Sequence, residues 1–317
     1  MYFLKLLRPI NLIIIAVTMY ATAWYFDGLY SEGKIWNESF TWLVISAVLI
    51  AGAGNIINDY FDVRTDRINK PDRLIIGKYV NRRAAILAHW TLNFAGLGIA
   101  IYISWRQETL IYVLIHLITI NILWFYSLSL KRRFLSGNIL IAGLTALVPV
   151  LVGIYYWRMD IVTNVEPTSP ALYPFREDIG HNFVIYISIG LGLYAFILNL
   201  AREIVKDMED VEGDISIRAR TVPIILGYQK AKWITAFVLS GTIISTLMAA
   251  MIFHHVELIA VSPIIFSAII VIVCFILLVK ASTKKQYRLI NHLIKLSMIS
   301  GLLSPVFWKL LIIYGAA

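Results

Sequence analysis

Nine long apolar runs divide the chain, at roughly 9–28, 40–57, 84–105, 109–130, 137–157, 182–201, 231–253, 257–280 and 290–314. Each is about 18–25 residues long, the length an α-helix needs to cross ~30 Å of hydrocarbon. The expected fold class is therefore all-α, a polytopic membrane bundle of about nine transmembrane helices around a central cavity, forming one domain over residues 1–317. The polar connections alternate in character. One set is short, as at Arg106-Gln107-Glu108 and His254-His255-Val256-Glu257, or bland. Its longest member, 158–180, carries Pro167, Pro170 and Pro174 and reads as an irregular loop outside the membrane. On the other side, the connections after the second and sixth runs are long, charged and acid-rich.

Composition agrees with the pattern. Mean hydropathy is +0.76 and 15% of residues are charged, against about 25% in soluble domains. The first run is too long for a cleavable signal peptide and lacks a small-residue cleavage site. Cys274 is the single cysteine, which excludes disulfides and a cysteine zinc site. A net charge of +9 raises nucleic acid as a partner, but the placement of the cations argues against it. With the N-terminus inside, 23 of the 28 Lys and Arg lie on the cytoplasmic side, all except Lys34, Arg106, Arg158, Arg176 and Lys309. That is the positive-inside bias, and it orients the chain N-terminus in and C-terminus out, in the plasma membrane.

Against this background two acidic clusters stand out. NDYFDVRTD (58–66) closes the second run, and REIVKDMEDVEGD (202–214) closes the sixth. Asp59, Asp62, Asp66 and Asp72, with Glu203, Asp207, Glu209, Asp210, Glu212 and Asp214, make up 10 of the 19 acids. Nothing breaks the helix between Ile56 and Asp66, so the second helix should continue through the motif. At about 100° per residue, Asn58, Asp62 and Asp66 then share an ~80° stripe, and Asp207, Asp210 and Asp214 an ~60° stripe. Asp59 points about 100° away from Asn58 and is the weakest candidate ligand.

Carboxylates at this density repel one another and need counterions. Hard oxygen ligands without sulfur or imidazole suit Mg²⁺, which takes one or two carboxylates plus water and phosphate oxygens. Two such columns suit a pyrophosphate held through Mg²⁺. The candidate cations for the phosphates are Arg64, Arg67, Lys70, Arg73 and Lys78 after the first cluster, Lys206 inside the second, and Lys131 between the fourth and fifth runs. The competing readings are solvated charge runs and an ion path through a transporter. A transporter site is usually found at the bilayer midplane on broken helices, whereas both clusters fall at helix ends.

The sequence Asn58-Asp59-x-x-Asp62-x-x-x-Asp66, with Arg73 after it and Asp210-x-x-x-Asp214 later, resembles the intramembrane prenyltransferases of the UbiA superfamily. The nine runs and the motif placement extend the resemblance over nearly the whole chain. NDYFDVRTDRINKPDR, REIVKDMEDVEGD and the following RTVPIILG are similar to the geranylgeranylglyceryl-phosphate geranylgeranyltransferase branch. YSLSLKRRFLSGN (126–138) is similar to a family segment whose Tyr and Lys face the cavity, here Tyr126 and Lys131. The chain departs from the family at Leu74-Ile75-Ile76-Gly77-Lys78, where an Arg-Pro and a Pro-Ser-Gly turn are common.

The resemblance implies Mg²⁺ bound by Asn58, Asp62, Asp66, Asp207, Asp210 and Asp214, with Asp62, Asp66, Asp210, Asp214, Tyr126 and Lys131 catalytic. It implies a prenyl diphosphate donor, ionisation to an allylic cation, and an apolar tunnel for the isoprenoid tail. Tyr126, Trp124 and Phe125 are then candidates for cation–π contact. The acceptor is a glycerol hydroxyl of an ether-lipid precursor or, alternatively, a ring carbon of an aromatic.

Lesser candidates complete the set. Arg8 opens the first span as an interfacial anchor or a phosphate contact, and Asn55 lines the cavity mouth or caps backbone groups. Asn138 reads as a helix N-cap. The six histidines show no metal-ligand spacing. Asn93 and Asn199 should face other helices, and Trp24, Tyr25, Trp42, Trp105, Trp157 and Trp233 should form interfacial belts.

Overall fold

The structure is a computed structural model that describes residues 2–30, 38–158, 182–252 and 258–314. Lys34, Arg176, His254-His255 and the proline-bearing loop beyond Arg158 lie outside the described residues. Along the chain run α1 (Tyr2–Leu7), α2 (Pro9–Tyr30), α3 (Glu38–Asn69), α4 (Arg82–Arg106), α5 (Ile111–Leu128), α6 (Ser136–Arg158), α7 (Phe183–Ser216), α8 (Val222–Ile252), α9 (Leu258–Lys280), α10 (Lys284–Leu302) and α11 (Ser304–Tyr314). Short 3₁₀ turns occupy Pro71–Arg73 and Leu130–Arg132. Among the described residues the only β pairing is an isolated bridge between Ile76 and Val80.

Eight described helices are long and apolar enough to cross a membrane, against nine expected. The expected run 231–253 falls on α8, which starts at Val222 and is broken at Gly227 by a φ of 79°. Beyond that break its helical backbone continues to Ile252. The last expected run is divided between α10 and α11 at Leu303.

The two motif-bearing helices are far longer than a bilayer requires. The 32 residues of α3 and the 34 of α7 span about 48 and 51 Å at ~1.5 Å per residue, against ~30 Å of hydrocarbon. Each therefore carries its acidic stretch beyond its apolar portion without an interruption, as expected for Ile56 to Asp66.

The chain folds as two compact units interleaved along the sequence. One comprises Met1–Val17, Trp36–Ile141 and Asp210–Gly227; the other comprises Thr18–Ile35, Ala142–Glu209 and Tyr228–Ala317. Helix α7 begins in the second unit and ends in the first.

In the first unit α3 packs against α4 and α5, and α1 lies on α3. Arg8 breaks α1 from α2 with a φ of 53°. The terminal carbonyls of α1 need a partner there, and Asn55 Nδ2 donates to Leu7 O at 2.9 Å. The segment that departs from the family pattern forms a tight turn around Gly77, with a φ of 87°. It drives Ile76 into an apolar cluster with Leu6, Ile56, Val63 and Ala85. Its isoleucines are thus explained by burial. Asn81 then caps α4, accepting from Ala84 N at 2.7 Å.

In the second unit α9 packs on α10 and α11. Several of its buried polar groups are paired across helices, as burial favours. Tyr156 Oη donates to Asp27 at 2.8 Å, and Asn199 Nδ2 donates to Thr145 Oγ1 at 2.9 Å. Asn199 therefore faces another helix, whereas Asn93, buried in the first unit, meets His89 on its own helix α4. Trp42, Trp105, Trp157 and Trp233 are exposed, but Tyr25 is buried against Trp308, with ring centroids 5.3 Å apart. Asn138 is buried inside the first turn of α6, after the helix has begun at Ser136, so it is not the N-cap.

Candidate active site

Asn58, Asp62 and Asp66 stand on successive turns of α3, and all three are partly accessible. Lys131, on the 3₁₀ turn Leu130–Arg132, reaches across to this stripe. Its Nζ is ion-paired with Asp62 and lies 3.4 Å from Asn58 Oδ1. Two contacts set that turn. Gly137, at the start of α6, lies so close that a Cβ there would be 2.7 Å from Lys131 Cα and 2.8 Å from Leu130 O. Arg220 N, just past α7, donates to Arg132 O at 2.7 Å.

The end of α7 is fastened to the end of α3. Lys70 Nζ meets Asp210 Oδ2 at 2.7 Å. Asn69 Nδ2 donates to Asp210 O at 3.0 Å, while Asn69 Oδ1 accepts from Gly213 N at 3.0 Å. Asp214, one turn beyond Asp210, is partly accessible. The first unit thus gathers Asn58, Asp62, Asp66, Lys70, Lys131, Asp210 and Asp214. Asp207 stands one turn ahead of Asp210, in the stretch of α7 that belongs to the second unit.

Several candidates are committed elsewhere. Arg8 is ion-paired with Asp59, so the aspartate judged the weakest ligand is neutralised by the residue proposed for phosphate. Asn55 is tied to the α1 backbone. Arg64 and Arg67 are exposed, and helical geometry turns them about 140–160° from the centre of the stripe at Asp62. Lys78 is exposed and lies over the Tyr79 ring, 5.2 Å from its centroid. Lys206 pairs with Glu203 at 2.9 Å, and Glu209 with Arg288 at 2.9 Å, so part of the second acidic cluster serves as structural counter-charge. The side chain of Arg73 lies outside the described set. Of the aromatics, Tyr126 is buried. Trp124 packs edge-on against Phe61, 5.9 Å between centroids, and Phe125 is half-exposed and lines an apolar groove with Leu117, Ile118 and Ile122.

Sequence reasoning overlooked Asn69, Gly137 and Gly213. Asn69 had a signal: eleven residues past Asn58, it falls ~20° from it, on the same stripe. Gly137 and Gly213 had none, because the close approaches that require a missing Cβ are made by distant segments.

The residues present fit a hard divalent cation. Asp210 Oδ1 is buried without a hydrogen-bond partner, a costly state for a carboxylate oxygen unless a proton donor or cation meets it. Among the described residues no three His, Cys, Asp or Glu side chains converge as a ready-made metal cage. A donor set of one or two carboxylates from each helix suits Mg²⁺ completed by water and phosphate oxygens, and suits zinc or calcium cages poorly.

Residues 13–299 match the UbiA prenyltransferase family. The chain belongs to that family. It is a UbiA prenyltransferase, and with its many apolar helices it is a multi-pass membrane protein. Among its UbiA relatives, the digeranylgeranylglyceryl phosphate synthase of Thermococcus gammatolerans is 33% identical over 246 residues, 78% of this chain and 76% of the relative. The synthase of the same name from Methanosphaera stadtmanae is 26% identical over 306 residues, 95% of this chain and 97% of the relative. The fold is shared with a solved digeranylgeranylglyceryl phosphate synthase structure, at a TM-score of 0.66 and 23% identity, covering 97% of each chain. It is also shared with a UbiA homologue from Archaeoglobus fulgidus bound to GPP and Mg²⁺, at a TM-score of 0.56 and 17% identity, covering 96% of this chain and 99% of that one.

Proposed function

We propose that this UbiA enzyme transfers a geranylgeranyl group from its diphosphate to the glycerol hydroxyl of geranylgeranylglyceryl phosphate. The allylic C–O bond to diphosphate breaks, an ether bond forms as the glycerol hydroxyl gives up its proton to the departing diphosphate or solvent, and diphosphate leaves. The reaction takes place at the cytoplasmic face of the plasma membrane, with the N-terminus in and the C-terminus out, as the distribution of Lys and Arg indicates.

One observation carries the chemistry: two carboxylate-bearing helix ends are fastened to each other, each with a lysine already on its aspartate. Within the first unit, Asn58, Asp62, Asp66, Asp210 and Asp214 are the residues that would hold Mg²⁺. When bound, Mg²⁺ supplies Lewis-acid polarisation of the diphosphate oxygens. Lys131 and Lys70 supply fixed positive charge where negative charge grows on the leaving group. Tyr126, buried on α5 shortly before Lys131, is the aromatic assigned to the allylic cation. The glycerol acceptor is supported by the names of the two relatives, which cover three quarters or more of this chain.

The test is transfer from radiolabelled geranylgeranyl diphosphate in proteoliposomes, with and without chelator. Geranylgeranylglyceryl phosphate and aromatic acceptors are offered side by side. A Mg²⁺-dependent product with the glyceryl phosphate is expected. Product with an aromatic acceptor alone would overturn the assignment of acceptor, and undiminished product after chelation would overturn the metal.

A further inference from the structure

Asn69 makes a contact that the chemistry above does not itself require. Its amide is buried at the last position of α3 and meets the α7 backbone twice, donating to Asp210 O and accepting from Gly213 N, each at 3.0 Å. A planar amide carries a donor and an acceptor on one rigid group, so it can engage an N–H and a C=O three residues apart. The neighbouring Lys70 adds the ion pair to Asp210 at 2.7 Å. Gly213 is the counterpart on α7, because a Cβ there would overlap the Asn69 amide. The contact joins residues more than 140 positions apart, three positions past Asp66 on α3 and at Asp210 and Gly213, next to Asp214, on α7.

We propose that Asn69, seated on Gly213, is the positioning residue that sets the spacing of the two carboxylate columns, and through it the affinity for the metal–diphosphate unit. This rests on the columns holding that unit. A carboxylate can serve a shared cation from only a narrow range of positions, because Mg²⁺ demands near-octahedral geometry at about 2.0–2.1 Å. Asp62 and Asp66 ride on α3, and Asp210 and Asp214 ride on α7. A backbone-directed amide fixes one helix relative to the other without spending a carboxylate on the task. Groups that orient metal ligands in this way typically change metal affinity by about 10- to 100-fold when removed.

The test uses the full chain in detergent with Mn²⁺ as the metal and inorganic diphosphate as the anion, following free Mn²⁺ by electron paramagnetic resonance. The Mg²⁺ dependence of turnover is measured alongside. Asn69→Ala should raise the half-saturating Mn²⁺ concentration about 10- to 100-fold, with a matching shift in the Mg²⁺ requirement. Gly213→Ala attacks the same contact from α7 and should move both readouts in the same direction. It carries the test alone if Asn69→Ala is not recovered folded. The double variant should be no worse than Asn69→Ala, because the new methyl then enters the space the amide has left. A merely structural role would lower thermal stability and leave the Mn²⁺ affinity of the folded fraction as in wild type; that result would overturn the proposal. If wild type itself binds no Mn²⁺ with diphosphate, the metal reading falls and the role of Asn69 falls with it. That outcome is recognisable because it precedes any substitution.

Discussion

Lys131 offers the sharpest test of how charge is arranged in this site. Its side chain is only 12% exposed, is ion-paired with Asp62 and lies 3.4 Å from Asn58 Oδ1, on a turn held by Gly137 and Arg220. Lys131→Met keeps the apolar stem and removes the charge. Two unit charges ~4 Å apart interact by about 4 kcal/mol at an effective dielectric of about 20. Lys131 already shares its charge with Asp62, so the loss of leaving-group stabilisation is set at about 2–4 kcal/mol, which is roughly 30- to 1000-fold in kcat. Lys131→Arg keeps the charge and should retain most of the rate. The assay is initial-rate prenyl transfer from radiolabelled geranylgeranyl diphosphate in proteoliposomes, with monodispersity and melting temperature as folding controls. If Lys131→Met keeps kcat within about threefold of wild type, a shift worth only ~0.65 kcal/mol, Lys131 does not stabilise the leaving group.

Asp62→Ala and Asp210→Ala should each abolish measurable turnover in the same assay while the protein stays inserted and monodisperse; near-normal rates in either would break the two-column arrangement. Gly137→Ala places a methyl 2.7 Å from Lys131 Cα. It should lower the melting temperature, at a cost of about 1–3 kcal/mol from overpacking, and reduce kcat by displacing Lys131. Unchanged melting and rate would show that the turn is free to move. Arg64→Ala should alter kcat/KM by less than about twofold and melting only slightly, as is usual for exposed positions. A large loss in transfer would restore the arginine to the site.

Much of the site was legible locally because helical periodicity is a property of the chain itself. Asn58, Asp62 and Asp66 fall on one face wherever α3 is helical, and no residue between Ile56 and Asp66 interrupts it. The pairing of NDxxDxxxD with a later DxxxD led to the UbiA family for the same reason, since both spacings are helical. The structure gives several of the candidate cations other surroundings than the motif suggested. Arg64 and Arg67 follow the motif closely in sequence, yet the same periodicity turns them away from it. Arg8 and Lys206 look free in one dimension, but Asp59 and Glu203 neutralise them.

The sequence alone determined the membrane-spanning class, the acid-bearing extensions of α3 and α7, and the carboxylate stripe on each. These depend on hydropathy, helix rise and the angle per residue, all of which act over a few neighbouring positions. Only the tertiary structure decided which cation meets which carboxylate, why Gly137 and Gly213 must lack a side chain, and that Asn69 fastens the two motif helices. Those contacts join residues up to 144 positions apart, and their partners follow from how the helices pack, not from the local pattern.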